Sequence, residues 1–172
     1  MVVYSWFRQP VPDRMPVNQV YGWIFDEYGR VVIWRVAGHF GLPGGRPEPT
    51  DTDQVATLRR EVFEEVTAEI TDPHYLGYQR VEEDHGCPPY AQVRMIARLG
   101  AVHPAAPDPD SGRLRTRLVV APARAAVLLD WGEHGHQQAQ AAVESAGQRW
   151  GLPVPADQPP ERFSADGRTA SP

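Results

Sequence analysis

The chain has 172 residues, a formal net charge of −5 and one cysteine, Cys87. This length fits one domain that can bury a core without crosslinks, and the lone cysteine excludes an internal disulfide and is typical of a reducing cytoplasm. The sequence has no run of about 18 apolar residues and no basic segment followed by an apolar one at its start. We therefore expect no membrane span, no secretory signal and a cytoplasmic location. The negative charge argues against a protein that coats nucleic acid, but it allows a small anionic substrate.

The first predicted elements are an N-terminal arm and a β-hairpin. Residues 1–16 are aromatic and then interrupted by prolines, which favours an arm. Val17–Phe25 and Val31–Val36 are rich in β-branched and aromatic residues and are separated by a polar turn that contains glycine, so they predict two strands. The aromatic side chains that could stack on a nucleobase are Trp6, Phe7, Trp23, Trp34 and Tyr90. Trp23 and Trp34 are better explained as hairpin core.

A tight turn, Leu42-Pro43-Gly44-Gly45, precedes a predicted helix with two distinct faces. Its apolar residues recur with helical spacing at Val55, Leu58, Val62 and Val66, which indicates a stripe that packs on a sheet. Beside this stripe, Glu61, Glu64 and Glu65 fall within an arc of roughly 100°. Like charges this close repel one another, and oxygen ligands gathered on one face suit a hard cation such as Mg²⁺. The alternative interpretation is an acidic face exposed to solvent.

This segment resembles the signature of the Nudix hydrolase family, G-x5-E-x7-R-E-U-x-E-E-x-G-U, in which U is a bulky apolar residue. Gly45 matches the first glycine, and Arg60-Glu61-Val62-Phe63-Glu64-Glu65 matches R-E-U-x-E-E without a gap. The match is imperfect at two places. Counting from Gly45 leads to Asp51 instead of glutamate, and the arginine then comes one residue late. Thr67-Ala68 also replaces the final glycine and apolar residue.

The extra residue is better placed in a loop than in the helix. An insertion inside the helix would rotate the following residues by about 100° and scatter the acidic face, whereas added loop length is thermodynamically inexpensive. We therefore place it within residues 46–52 and pair Arg60 with the family arginine. Asp51 or Glu48 is then the acid of the loop. Because threonine tolerates the left-handed conformation poorly, we expect the helix to run on by a turn past Thr67 or to end differently.

The rest of the sequence predicts further strands, two helices and a tail. Strands are predicted at residues 68–71, 75–82, 90–99 and 114–120, and helices at 122–131 and 136–150. This order indicates an α/β protein, and the resemblance implies the Nudix-type α/β/α sandwich, with a mixed sheet between helices. We expect a single domain over residues 1–151, with 1–16 as its arm. Residues 152–172 are rich in proline and should be disordered.

The resemblance also implies a function. Nudix enzymes typically hydrolyse a nucleoside diphosphate linked to another moiety, by attack of water on phosphorus. Here Glu61, Glu64 and Glu65 would bind Mg²⁺, or Mn²⁺, with help from the carbonyl of Gly44 or Gly45. Glu64 and Glu65 would act in catalysis, and Arg60 would orient one of the glutamates. The expected partner is a small nucleotide or nucleotide derivative, and because family members are often dimers, a homodimer is compatible with the resemblance.

Further candidates lie outside the signature, and the function has alternatives. In many family members another acid comes from a separate loop. The candidates are Glu82, Glu83, Asp84, Asp108 and Asp110, each of which is otherwise a solvated loop acid. His134 and His136 are better explained as the start of a helix than as metal ligands, and His85-Gly86-Cys87 as a plain loop.

The shifted loop and the missing glycine favour, as alternative, a Nudix-fold binding or regulatory module with little turnover. An isomerase on the same fold is a third hypothesis.

Overall fold

The computed structural model describes residues 1–83, 86–163 and 169–170, and this part of the chain forms ten strands and three helices. The strands are β1 Val2–Phe7, β2 Val17–Phe25, β3 Val31–Val36, β4 His39–Gly41, β5 Gly44–Gly45, β6 Ala68–Glu83, β7 Tyr90–Val102, β8 Thr116–Val120, β9 Glu161–Phe163 and β10 Thr169–Ala170. The helices are α1 Gln54–Val66, α2 Pro122–Leu129 and α3 Gly132–Trp150. None of these helices is long and apolar enough to span a bilayer.

All strands join one mixed sheet, and helices cover both of its faces. The main order is β1-β6-β7-β2-β3-β8-β9-β10, with β2 and β7 parallel and the other pairs antiparallel. On one face, Leu58, Val62 and Val66 of α1 are buried in a core with strand residues such as Val20. On the other face, α2 and α3 pack over a core that includes Trp23. The predicted α/β/α sandwich with a mixed sheet is therefore confirmed.

The predicted hairpin diverges almost at once, which opens room for the glycine turn. Within the described chain, β2 and β3 pair only at Phe25 and Val31. Farther along, β2 pairs with β5 and β3 pairs with β4. Gly44 lies so close to β2 that an added Cβ would be 2.2 Å from the carbonyl oxygen of Val20, and its φ is +150°. Only glycine fits such a close approach to β2. The turn also lies beside α1, because the N–H of Gly44 donates to Glu65.

Several element boundaries differ from the sequence-based predictions. The N-terminal arm contains β1, which pairs with β6 along the sheet edge. The two strands predicted at residues 68–71 and 75–82 are one strand, because register shifts in the pairing with β7 absorb the irregular residues between them. Helix α3 begins at Gly132, four residues before the predicted start, so His134 and His136 lie within its first turns.

The described tail residues 152–163 include a strand, β9, whereas disorder is the expectation for 152–172. Strand β9 pairs with β8, and Arg30 Nη1 donates to Glu161 Oε2 at 2.8 Å. Leu152 packs on the core beneath α3. Residues 152–160 carry no helix or strand. The proline-rich composition gives no sign that β8 offers an edge on which β9 can pair. Residues 164–168, 171 and 172 lie outside the described chain.

Helix α1 ends at Val66, and Thr67 takes the left-handed conformation that the family signature assigns to glycine. Its φ and ψ are both 47°, and its N–H donates to the carbonyl of Phe63 at 3.0 Å. Of the two outcomes expected for this end, a helix that runs on by a turn past Thr67 and one that ends differently, the first does not occur. A β-branched residue in this conformation is strained by roughly 1–2 kcal/mol. Arg117 offsets the strain, because its Nη1 donates to Thr67 Oγ1 at 3.0 Å and to the carbonyls of Val66 and His103 at 3.2 and 2.7 Å.

The substitution Thr67→Val tests this interaction. Valine keeps the shape and the backbone strain but removes the oxygen that accepts from buried Arg117. We expect the free energy of unfolding, measured by urea denaturation, to fall by about 1 kcal/mol. The control is Thr67→Asn, which tolerates the left-handed conformation and keeps an acceptor, and should be at least as stable as the parent. Equal stability of the valine variant and the parent would disprove the role of Arg117.

Candidate active site

Helix α1 presents its three signature glutamates toward the glycine turn. The helix starts cleanly, because the side chain of Asp53 accepts from the N–H of Ala56 at 2.8 Å. From this start, Glu61 and Glu64 come together at Arg60, whose Nη1 donates to Glu61 Oε1 at 3.1 Å and to Glu64 Oε2 at 3.0 Å. The side chains of Glu61, Glu64 and Glu65 are 14%, 23% and 6% exposed, so Glu64 is the most accessible.

Arg60 also joins α1 to the preceding loop. Its Nε donates to Asp51 Oδ1 at 3.2 Å, and its Nη2 donates to Asp51 Oδ2 at 3.0 Å and to the carbonyl of Arg46 at 2.8 Å. Glu48 is only a 3.5 Å ion-pair partner and its side chain is 48% exposed, against 6% for Asp51. The hydrogen bonds from Arg60 hold the pKa of Asp51 at about 2, well below its usual range.

These contacts decide between the two candidates for the loop acid. Asp51 makes the two-pronged contact with Arg60, so it occupies the position of the acid in the signature, and Glu48 lies at the periphery. The spacing from Gly45 to Asp51 is then that of the signature. With Asp51 as the acid, the extra residue lies between Asp51 and Arg60, which are nine positions apart. Of the range 46–52 predicted for it, only Thr52 agrees with this. The neighbouring Arg59 points elsewhere and donates to the carbonyl of Ile70.

Glu65 is buried and held by three donors. Its Oε2 accepts from Trp34 Nε1 at 3.0 Å and from the N–H of Gly44 at 2.9 Å, and its Oε1 forms an ion pair with Arg115 Nη2 at 3.1 Å. Burial raises the pKa of Glu65 to about 7, although the Gly44 hydrogen bond and Arg115 act in the opposite direction. Trp34 packs against the hairpin core, as expected, and also donates a hydrogen bond to this carboxylate.

Arg115 connects Glu65 to one of the predicted loop acids. Its guanidinium stacks on the Trp34 ring, 4.8 Å from the centroid, and pairs with the carboxylate of Asp108. Burial by itself raises the pKa of Asp108, but hydrogen bonds from Ser111 and Arg115 outweigh it and bring the value to about 2. Asp108 thus anchors its own loop against the site. Sequence reasoning missed Arg115, because it is one of 17 basic residues and no spacing relates it to α1.

The other candidate acids lie apart from these contacts. Asp110 is exposed and affects Glu64 only through its charge, which raises the pKa of Glu64 less than burial does. Glu83 accepts from the hydroxyl of Tyr90 at 2.9 Å, and Glu82 pairs with Arg80 at 3.1 Å. Asp84 and His85 lie outside the described residues. Cys87 is exposed.

The donor set suits a hard divalent cation, although its oxygens are not gathered around one point. Burial is the main cause that raises the pKa of Glu61, Glu64 and Glu65, so each carboxylate would gain from a nearby cation. A Cβ on Gly45 would lie 2.3 Å from Glu61 Oε1, so glycine leaves the space that this carboxylate fills. Yet among the described residues no three acidic, histidine or cysteine side chains converge at metal-ligand spacing. Here Arg60 and Arg115 balance the charge instead.

Comparison with known proteins identifies the family and similar folds. The model of the NUDIX domain family matches residues 15–141, which is more than half of the chain. No curated protein matches the chain in sequence. The fold is similar to that of the Bacillus subtilis pyrophosphohydrolase BsRppH, with a TM-score of 0.54 and 16% identity over 67% of this chain and 70% of that one.

Two further solved structures are similar in fold. A NUDIX hydrolase from Nitrosomonas europaea gives a TM-score of 0.54 at 17% identity, over 81% of this chain and 93% of its own. The C. elegans Ap4A hydrolase gives a TM-score of 0.50 at 18% identity, over 78% of this chain and 99% of its own. These identities are low, so the structures establish the fold, and the family model establishes the relationship. The chain belongs to the NUDIX domain family.

Proposed function

We propose that this protein hydrolyses a diphosphate linkage in a nucleoside diphosphate linked to another moiety, using a divalent cation, Mg²⁺ or Mn²⁺. The observation that carries the proposal is the group of three partly buried glutamates beside the Gly44-Gly45 turn, with Arg60 fixed to Asp51. Membership of the NUDIX domain family and the presence of a pyrophosphohydrolase among proteins of similar fold support this general chemistry.

Glu61, Glu64 and Glu65 would hold the cation, with the carbonyl of Gly45 as a further oxygen ligand. The cation, when bound, neutralises charge on the diphosphate oxygens and polarises water. Glu65 is suited to a fixed ligand, because Trp34 and Gly44 set its orientation. Arg60 is a positioning residue, because it donates to Glu61 and Glu64 while Asp51 of the preceding loop holds its guanidinium in place.

Glu64 is the proposed general base. It is the most accessible of the three, and within the described chain its Oε1 has no hydrogen-bond partner, while Oε2 accepts from Arg60. Burial raises its pKa, and in this role its carboxylate accepts the proton of the attacking water. Water attacks one phosphorus atom, its proton passes to Glu64 Oε1, and the bridging P–O bond breaks, so that two phosphate-bearing products leave.

A binding or regulatory module with little turnover is the second candidate. Arg60 and Arg115 already compensate the glutamates, and this arrangement would be stable without a cation. Incubation of the protein with a panel of nucleoside triphosphates, dinucleoside polyphosphates and nucleotide sugars, with Mg²⁺ or Mn²⁺, separates the two candidates. Hydrolysis releases a nucleoside monophosphate or inorganic phosphate products, whereas the module binds nucleotide and releases neither.

The substitution Glu64→Gln tests the general base and ligand. Glutamine keeps the size but neither accepts the proton of the attacking water nor contributes charge to the cation. We expect metal-dependent turnover of the best substrate of the panel to fall by about 100-fold or more. Glu133→Gln, a matched change in the first turn of α3, should leave turnover unchanged. Full activity in both Glu64→Gln and Glu65→Gln would exclude the assignment.

The role of Arg60 is tested by Arg60→Lys. Lysine keeps the charge, but it lacks the planar fork that bonds Asp51 while it reaches Glu61 and Glu64. We expect the free energy of unfolding to fall by about 1–3 kcal/mol and turnover to fall as the glutamates lose their orientation. Arg59→Lys provides the comparison, since Arg59 makes one bond to a backbone carbonyl. Similar losses in the two variants would show that Arg60 has no special part in positioning.

A further inference from the structure

A cavity of about 410 Å³ lies against the face of the sheet that carries α2 and α3. Its lining includes Tyr4, Tyr21, Gln79, Gln92, Arg94 and Trp131. The cavity adjoins the proposed reaction centre through two contacts. Tyr21 pairs in register with Gly44, and the N–H of Gly44 donates to Glu65. Gly44 thus stands between the glutamates and the cavity. In the arrangement proposed below, the diphosphate lies on one side of Gly44 and the base, for which the cavity is large enough, lies on the other.

The floor of the cavity contains a buried cation without a counter-ion. Arg94 is 1% exposed, and the rings of Tyr21 and Trp131 each lie 4.8 Å from its guanidinium carbon. Burial lowers the pKa of Arg94 to about 10, so it stays charged at neutral pH. Every hydrogen-bond acceptor it meets in the described chain is an amide or peptide oxygen and none is a carboxylate; the acceptors belong to Gln79, Gln92, Val93 and Gln138.

This cation fixes the orientation of the glutamine side chains around it. A guanidinium has only donors, so each glutamine must turn its oxygen toward Arg94 and its NH₂ away. Gln79 Oε1 accepts from Arg94 at 3.4 Å and from Gln138 Nε2 at 2.6 Å. Gln92 Oε1 accepts from Arg94 at 3.2 Å, and Gln92 Nε2 donates to Gln19 Oε1 at 2.5 Å.

The result is a cavity wall that presents donors. Gln79 Nε2 and Trp131 Nε1 have no hydrogen-bond partner within the described chain. Both atoms keep some exposed surface. Gln79 and Trp131 both line the cavity, and Arg94 beside them bonds no carboxylate within the described chain. We infer that their unpaired N–H groups face the cavity. A ligand edge with oxygen acceptors would satisfy these groups. An amino group in the same place would set donor against donor and leave both without a partner.

We propose that this cavity binds the nucleobase of the substrate through an oxo-bearing edge, and that Gln79, oriented by Arg94, disfavours bases with an amino group at the same position. The proposal rests on the proposed function for the identity of the ligand as a nucleotide. Asp130 is the one carboxylate on the lining; it is exposed, at the left-handed end of α2. As an acceptor, its carboxylate would favour a base with an amino group, and for that reason Asp130 is included in the test.

Inosine and adenosine 5′-monophosphates form the probe pair, since their bases differ in a 6-oxo and a 6-amino group. Calorimetric titration of the full chain requires no turnover. We expect inosine monophosphate to bind at least about 10-fold more tightly, and the corresponding triphosphates to show the same order in kcat/KM if the protein hydrolyses them. Equal affinity, a preference for adenosine, or no binding of either at millimolar concentration would overturn the proposal.

Two variants locate the source of the preference. Gln79→Glu replaces the outward NH₂ by an acceptor oxygen and supplies Arg94 with a counter-ion, so it should fold, as thermal melting will verify, and the inosine preference should vanish or reverse. Gln79→Met, which removes the NH₂ without adding a charge, is the substitute if that variant does not fold, and the inosine preference should vanish there too. Asp130→Asn should keep the preference, and its loss there would refute the role of Gln79. Selective binding without any hydrolysis would exclude the proposed function but not this inference, whereas hydrolysis of both triphosphates at equal rates would do the reverse.

Discussion

The contact between Arg60 and Asp51 is the constraint on which the acidic face of α1 depends. Three glutamates within two turns of a helix repel one another, and burial makes the repulsion harder to screen with water. Arg60 stands between Glu61 and Glu64 because Asp51 holds it from the loop side. Arg115 does the same for Glu65 from another part of the chain, with Asp108 behind it. Each arginine is itself oriented by an aspartate. The positions of the glutamate carboxylates therefore depend on two aspartates that lie outside the helix.

The sequence predicted the parts of the site that follow from local periodicity. The stripe of Leu58, Val62 and Val66 gave the buried face of α1, and the gapless run from Arg60 placed the glutamates beside it. The contacts that complete the site could not be read in this way. Trp34 is 31 residues from Glu65, and only the divergence of β2 and β3 brings them together. The left-handed Thr67 also escaped prediction, since it is tolerated only because Arg117, 50 residues away, offsets it.

The two faces of the sheet carry buried charges of opposite sign. On the α1 face, carboxylates are concentrated and arginines balance them. On the α3 face, Arg94 is buried with amide oxygens alone. Tyr21 and Gly44 stand where the two environments meet. With a cation at the glutamates, the proposed substrate would place its diphosphate near the first face and its base near the second.

The position of Phe163 has a consequence for the integrity of the helix that carries the glutamates. Its ring lies 5.2 Å from the guanidinium carbon of Arg117, and the strand to which it belongs pairs with β8. Arg117 in turn donates hydrogen bonds to Val66 and Thr67 at the C-terminal end of α1. Removal of the segment that begins at Glu161 would therefore expose this arginine to water at the point where it bonds the last residues of α1.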